Sequence, residues 1–454
     1  MNHSSSRRKT RAAAILAALA FGTGAAPLTA QTPEQDKTAI ERMQSEIEQL
    51  KAELRALKEQ IDAITRTPAV SAAPEAPGLP APSSAPASAA APRAASAGNV
   101  FNPAISAVFQ GIGNASINHD RDDDGLSLSE AEIGLQAVVD PYARVDMFLA
   151  FSAEGEAEVE EAFATFQTLP GGMQARAGRF KSAFGKWNQL HNHAFFTVDR
   201  PDALTAFFGE ESLTGDGASL SWLVPGTGSA FIESVSQVAS TPNDLSFNAR
   251  RRDLLYLQRL SSVLTLTPNA TLELGVSGAA GRAGPTRRLL DDIDDAGLTG
   301  TLTPAERLSS NVFGADLTYK WKPVQYNVYR SFLWQTEALQ SVRRIERLDA
   351  AQELERRTVR SFGGYSLAEY QFAKRWRTGL RFDYTGFAAD DAARQRAASA
   401  VLRVQPTEFQ EFRFQFKHTA RNEAAGFLFD DIRNDNEFFI EWIPVIGAHA
   451  AHKY

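Results

Sequence analysis

From Phe101 onward, apolar and polar residues alternate with period two. The clearest run is Trp376, Thr378, Leu380, Phe382 and Tyr384, interleaved with Arg375, Arg377, Gly379, Arg381 and Asp383. Such alternation makes a strand with one greasy and one wet face, because successive side chains leave opposite sides of the pleat. It recurs at Ile133, Leu135, Ala137 and Val139, at Val145, Met147, Leu149 and Phe151, and at Phe313, Ala315, Leu317, Tyr319 and Trp321. Phe412, Phe414 and Phe416 alternate with Glu411, Arg413, Gln415 and Lys417. Long aromatics on one face and charges on the other fit a lipid-facing barrel better than a soluble sandwich.

The connections set the architecture. Tight ones are expected at Pro141-Tyr142, Leu169-Pro170-Gly171-Gly172, Pro225-Gly226, Pro268-Asn269, Lys322-Pro323, Ala373-Lys374 and Pro406-Thr407. Longer polar ones fall at 119–129, 181–215, 240–252, 281–309, 337–355, 387–396 and 420–435, with a short one near Glu154 to Glu158. Short turns alternating with long loops predict an all-β transmembrane barrel of about sixteen antiparallel strands over residues 99–454. The facing of 325–336 and 356–372 stays open. Elsewhere parity turns Arg375, Arg377, Arg381, Asp383, Glu411, Arg413 and Lys417, with Glu437 and Glu441, toward a polar lumen.

Ahead of the barrel the period changes. Ile40, Met43, Ile47, Leu50, Leu54, Leu57, Ile61 and Ile64 recur at three- and four-residue steps, the seam of a self-associating coiled coil over 36–66. Prolines 68, 74, 77, 80, 82, 86 and 92 among Ala and Ser make 67–98 an extended spacer. Residues 1–30 read as a signal peptide: Arg7, Arg8, Lys9 and Arg11 precede an apolar core, Ala12 to Gly22, and a small-residue cleavage site ending at Ala30. The expected address is the outer membrane, with the N-terminal segment in the periplasm.

Composition narrows the chemistry. Cysteine is absent, which removes disulfides and thiolate sites. The formal charge of -7 argues against a nucleic-acid partner. No stretch reaches the ~20 apolar residues of a membrane helix. There is no Ser-His-Asp order, paired-carboxylate setting or phosphate loop, so nothing points to an enzyme. No cofactor is required.

Several motifs resemble a family of exported barrels similar to the phosphate-selective porins. They are Val159-Glu160-Glu161-Ala162-Phe163, Leu169-Pro170-Gly171-Gly172, Gly178-Arg179-Phe180, Phe184-Gly185, His191-Asn192-His193, Asp199-Arg200-Pro201, Phe208-Gly209 and the ending Gly447 to Tyr454. The resemblance implies a sixteen-stranded trimeric pore behind a short coiled coil; relatives include zinc-regulated outer-membrane proteins. The arginine ladder of phosphate-selective members is only partial here. The expected function is a passive aqueous porin for small hydrophilic solutes or ions, anions such as phosphate among them. The alternatives are zinc-linked uptake and an envelope tether whose coiled coil contacts peptidoglycan. Partners are lipid, further copies of the chain, and small solutes or ions.

The longest loop, 181–215, is expected to fold into the lumen, making Lys181, Lys186, His191, His193, Arg200, Glu210 and Glu211 constriction candidates. His191 and His193 are candidate zinc ligands. Asp120, Asp122 and Asp124, followed by Gly125, match the start of a calcium loop, although its twelfth position is Ala131 between Glu130 and Glu132.

Overall fold

The computed structural model describes residues 103–116 and 124–447, apart from 154, 229, 242, 244, 249, 430 and 431. The expected signal peptide, coiled coil and spacer, along with Asp120, Asp122 and 448–454, lie outside the described residues.

Sixteen strands pair in sequence order, every neighbour antiparallel, and β16 pairs with β1 to close a barrel. They are β1 (Ala104–Ser116), β2 (Gly125–Val138), β3 (Ala143–Phe151), β4 (Ala157–Leu169), β5 (Met173–Lys181), β6 (Thr214–Leu223), β7 (Ala230–Ser240) and β8 (Leu254–Thr267). The second half comprises β9 (Ala270–Ala283), β10 (Leu308–Trp321), β11 (Ser331–Leu348), β12 (Leu354–Ala373), β13 (Trp376–Phe387), β14 (Asp390–Thr407), β15 (Gln410–Arg421) and β16 (Asn434–Gly447). Closure leaves no strand edge, so the ladder satisfies the backbone groups of every strand. No described helix is long and apolar enough to cross a membrane, as expected of a chain that would cross with strands.

The expected facing holds on β13. Trp376, Leu380 and Phe382 are exposed on the outside, whereas Arg381 and Asp383 are buried inside. Trp222, Trp334, Trp376 and Trp442 lie toward the short-turn end. The indole of Trp222 donates to Gly171 O at 3.0 Å and that of Trp334 to Ser366 Oγ at 3.0 Å, so their polar tips are satisfied beside an apolar belt.

Three expectations need correction. Arg375 is exposed in the β12–β13 turn and does not face the lumen, because β12 ends at Ala373 and pairing resumes at Trp376. The expected loops 337–355 and 387–396 shrink to 349–353 and 388–389. The charge-rich segments Val342 to Leu348 and Leu354 to Arg360 pair as a hairpin extension. Their inward Ile345 and Val359 are buried, and Ile345 lines one cavity with Leu289 of helix α2 (Arg287–Asp295). Conversely, the Lys322-Pro323 turn spans 322–330.

The lumen is also less polar than expected. Val235, Leu255, Leu257, Val312, Leu339, Tyr365 and Leu367 point inward and are buried, in one cluster with residues of the 182–213 loop. Inward apolar residues on β11 and β12 explain why period two left those strands' facing open.

Candidate functional site

The connection between β5 and β6, residues 182–213, fills much of the barrel interior. Phe184, Trp187, Phe195, Phe196, Leu204, Phe207, Phe208 and Leu213 are all buried and supply the loop's share of the core. The Trp187 ring meets Phe195 at 5.2 Å and Tyr365 edge-on at 5.4 Å. Helix α1 (Asp202–Phe208) seats Ala203 and Phe207 closely against β12 at Gly363, where an added Cβ would lie a tight 3.0 Å from Ala203 Cβ. Gly185 adopts φ +58°, and a Cβ on it would fall 1.9 Å from Glu337 Oε2. The loop can turn against that wall only without a side chain.

Polar anchors tie the loop to eight strands. Ala183 N donates to Gln237 on β7 at 2.8 Å, and Gly185 N to Ser277 on β9 at 3.2 Å. Trp187 N donates to Glu337 on β11 at 2.8 Å, while Lys186 pairs with Glu273 on β9 at 2.6 Å. Farther along, Asp199 accepts from Arg381 on β13 at 2.8 Å, and from Lys417 at 2.7 Å and Gln415 at 2.5 Å on β15. Asp202 accepts from Lys417 at 2.6 Å and from Gln395 on β14 at 2.6 Å. Although burial disfavours its charge, Arg381 and Lys417 hold the Asp199 carboxyl well below the usual aspartate range. His191 and Asn192 reach the opposite wall, β2 and β4.

The expected constriction residues therefore divide by role. Arg200 staples the loop to itself, donating to Asn188 Oδ1 and Ser212 Oγ, both at 2.9 Å. Burial pushes its guanidinium down to about 10. Lys181 bonds Leu190 O at 3.0 Å and pairs with Glu160. Glu210 and Glu211 are the exposed pair. Partial desolvation, with Glu158 and Glu160 nearby, raises Glu211 above the usual glutamate value.

Three lumen-facing arginines on β13–β15 are matched by acids. Arg381 bonds Asp383 at 2.7 Å, Arg403 bonds Glu369 at 2.7 Å and Glu411 at 2.9 Å, and Arg413 bonds Glu411 at 2.6 Å and Glu441 at 2.9 Å. Arg377, on the same inward parity, is half-buried. Arg413 also donates to His193 O at 2.6 Å, fixing the loop's histidine segment.

His191 sits in a nest of carboxylates. Its Nδ1 lies 2.8 Å from both Glu132 Oε2 and Glu160 Oε2, and its Nε2 is 3.0 Å from Glu161 Oε2. Burial and the Lys181 charge pull its pKa down, but Glu160 and Glu132 outweigh them and hold it well above the ordinary histidine value. His193 Nδ1 is 3.6 Å from the same Glu132 Oε2. Asp124 takes no part; its Oδ1 accepts from Ser116 N at 2.9 Å, bracing the β1–β2 connection.

Two of the cavities that border the loop carry its charged residues. One, of about 980 Å³, is bounded by Asp199, Arg200, Asp202 and Glu210 on the loop and by Lys417, Arg421, Asp435 and Glu437 on the wall, a mixed charge. The other, of about 770 Å³, is lined by Glu130, Glu156, Glu158, Glu160, Glu210 and Glu211 against Arg179. The second cavity thus concentrates carboxylates in a confined, partly desolvated space.

Sequence reasoning reached the loop and its histidines. It did not identify Asp199 and Asp202 as the clamp, or Glu132, Glu160 and Glu161 as the partners of His191. Glu160-Glu161 lay within a motif already singled out, and Glu130 and Glu132 flanked the failed calcium position.

No family model matches the chain. A protein of Aquifex aeolicus (strain VF5), described as uncharacterized, is 29% identical over 373 residues, covering 77% of this chain and 74% of its own length. Among solved structures, the anion-selective porin from Comamonas acidovorans aligns at TM-score 0.49 and 10% identity, over 76% of this chain and 99% of the porin. The outer membrane channel DcaP of Acinetobacter baumannii aligns at 0.47 and 12%, over 76% and 97%, and OmpT of Vibrio cholerae at 0.47 and 8%, over 76% and 97%. At these scores the architecture rests on this chain's own strand register.

Proposed function

We propose that the chain is a porin-type channel of the outer membrane, not an enzyme, passing small hydrophilic solutes or ions down their gradients with a preference for cations. The observation that carries this reading is the inverted polarity of the closed barrel. Its outside presents exposed Leu380, Phe382, Trp376 and Ile440, while its inside holds charged residues, an inserted loop and carboxylate-lined cavities. In hydrocarbon only a closed barrel or a helix satisfies its backbone, and this chain has the barrel. The pairing of Arg381, Arg403 and Arg413 with acids removes the excess positive charge that anion selection would need, which favours cations over phosphate.

The lumen loop narrows the passage, and its flanking glutamates set ion preference. Self-association, with a trimer as the expected assembly, is supported by the heptad seam of 40–64, which does not itself set the number of chains, and by an outward polar ladder. In that ladder Ser236 donates to Gln258 at 2.6 Å and Gln258 to Ser234 at 2.9 Å, groups better covered by another subunit than by lipid. The N-terminal segment would lie in the periplasm. Planar-bilayer recording across a KCl gradient tests the reading. Discrete conductance steps with a cation-selective reversal potential are expected; an electrically silent purified trimer would refute it.

A further inference from the structure

We propose that Glu132, Glu160 and His191, with Glu130 and His193 beside them, form a binding site for a divalent first-row transition-metal ion between the lumen loop and the barrel wall. The donors come from two strands and one loop, which the fold alone brings together. Glu130 and Glu132 project from β2, Glu160 from β4, and His191 precedes and His193 lies within a 3-10 turn at Asn192–Ala194. They make two mixed triads, Glu132–Glu160–His191 and Glu130–Glu132–His193, each with one donor atom per residue and all donors within 4.8 Å.

The spacing suits a small ion. Ligands at the usual zinc distances of 2.0–2.1 Å in a tetrahedron stand about 3.4 Å from one another. Here Glu132 Oε2 is 2.8 Å from His191 Nδ1 and 3.6 Å from His193 Nδ1, a range that straddles the requirement.

The surroundings are those of a built site. Glu161 Oε2 lies 3.0 Å from His191 Nε2, the ring nitrogen not facing Glu132 and Glu160. A carboxylate there keeps a proton on Nε2, so an ion that displaces the Nδ1 proton finds that nitrogen as its ligand, the arrangement metal-ligating histidines almost always have. Phe148 packs on the His191 ring at 4.7 Å and the His193 ring stacks on it at 5.7 Å, so the imidazoles are held in place. Glu130 Oε2 accepts from Asn192 Nδ2 at 2.8 Å, whereas its buried Oε1 accepts from no described residue.

Charge points the same way. Lys181 pairs with Glu160, but four carboxylates, Glu130, Glu132, Glu160 and Glu161, converge on the two rings. A dication between them would offset an excess that is costly to bury. Mixed imidazole and carboxylate donors select a borderline ion such as Zn²⁺, whereas Ca²⁺ and Mg²⁺ take oxygens. The glutamate-lined cavity of about 770 Å³, which Glu130 and Glu160 also border, supplies the entry path. The site does not depend on conduction.

Equilibrium dialysis of the chelator-stripped, detergent-folded full-length protein, with Zn²⁺ and Ca²⁺ as probes, tests the proposal. Zinc should bind at roughly one or two ions per chain and calcium at least about 100-fold more weakly, as the donor set requires. Glu132→Gln should abolish tight binding, and Glu161→Gln should weaken it on the order of 10–100-fold, both while retaining the heat-modifiable electrophoretic band. Because either variant could loosen the loop, X-ray absorption of the zinc-loaded wild-type protein gives a second reading, with imidazole in the first shell. Zinc binding unchanged by Glu132→Gln, calcium as tight as zinc, or an all-oxygen shell would each overturn the site.

Discussion

Replacing Asp199 by asparagine tests whether the lumen loop is clamped by charge. Its carboxylate holds Arg381, Lys417 and Gln415, at 2.8, 2.7 and 2.5 Å. Removing one partner of a buried ion pair costs about 3–5 kcal/mol, because the other charge stays desolvated. Arg381 retains Asp383 at 2.7 Å and Lys417 retains Asp202 at 2.6 Å, so the lower end, about 3 kcal/mol, applies. At ~1.4 kcal/mol per decade, the docked-to-undocked ratio of the loop falls roughly 150-fold. Limited proteolysis of the folded barrel, read as cleavage within 182–213, follows the open population when reclosing outpaces cutting. Cleavage should therefore accelerate on the order of 100-fold, with noisier open-channel current. Cutting at the wild-type rate would refute the clamp. The clamp also fixes a pH dependence. A carboxyl held below its ordinary pKa stabilises fully above the unfolded value of ~3.9, and that stabilisation is lost as pH falls beneath it. Wild-type loop cleavage should rise below about pH 4 by a component that Asp199→Asn lacks.

Further outcomes follow from the same geometry. Leu380→Arg places a charge in the outward belt and should destabilise the barrel in vesicles by about 2–4 kcal/mol, measured by urea unfolding in lipid, where the isosteric Leu380→Met should be nearly neutral. Gly185→Ala drives a methyl into Glu337 and should undock the loop, raising the same proteolytic cleavage; Gly111→Ala, with open space around it, should not. Neutralising Glu158, Glu210 and Glu211 to glutamine should shift the KCl reversal potential toward zero with little change in fold, whereas an unchanged potential would separate that cavity from the ion path.

Much of the barrel is legible in its chain because the solvent on each face differs. Lipid outside enforces Leu380, Phe382 and Trp442 at one parity, and the strand count follows from the alternation of short and long connections. It fails where the two environments resemble each other. On β11 and β12 the inner wall carries apolar residues among its polar ones, since Leu339, Tyr365 and Leu367 pack on the inserted loop. At the outer ends of those strands Arg343, Arg344, Arg356 and Arg357 look like loop, because charge is tolerated on a hairpin standing clear of hydrocarbon. The loop's place inside the barrel was legible from its length and position in the order. Its anchors were not, because Asp199 and Asp202 meet Arg381 and Lys417 across some two hundred residues and no periodicity marks such pairs. The histidines stood out as a pair; their glutamates come from β2 and β4, which only folding brings to them.

The central claim is that the barrel's apolar face meets hydrocarbon. The chain has no cysteine, so single cysteines at 376 to 384 can each carry a spin label in reconstituted vesicles. Collisional accessibility to oxygen, which concentrates in lipid, should peak at 376, 378, 380, 382 and 384 and fall at the positions between. A flat profile, or maxima at 377, 379, 381 and 383, would contradict the account.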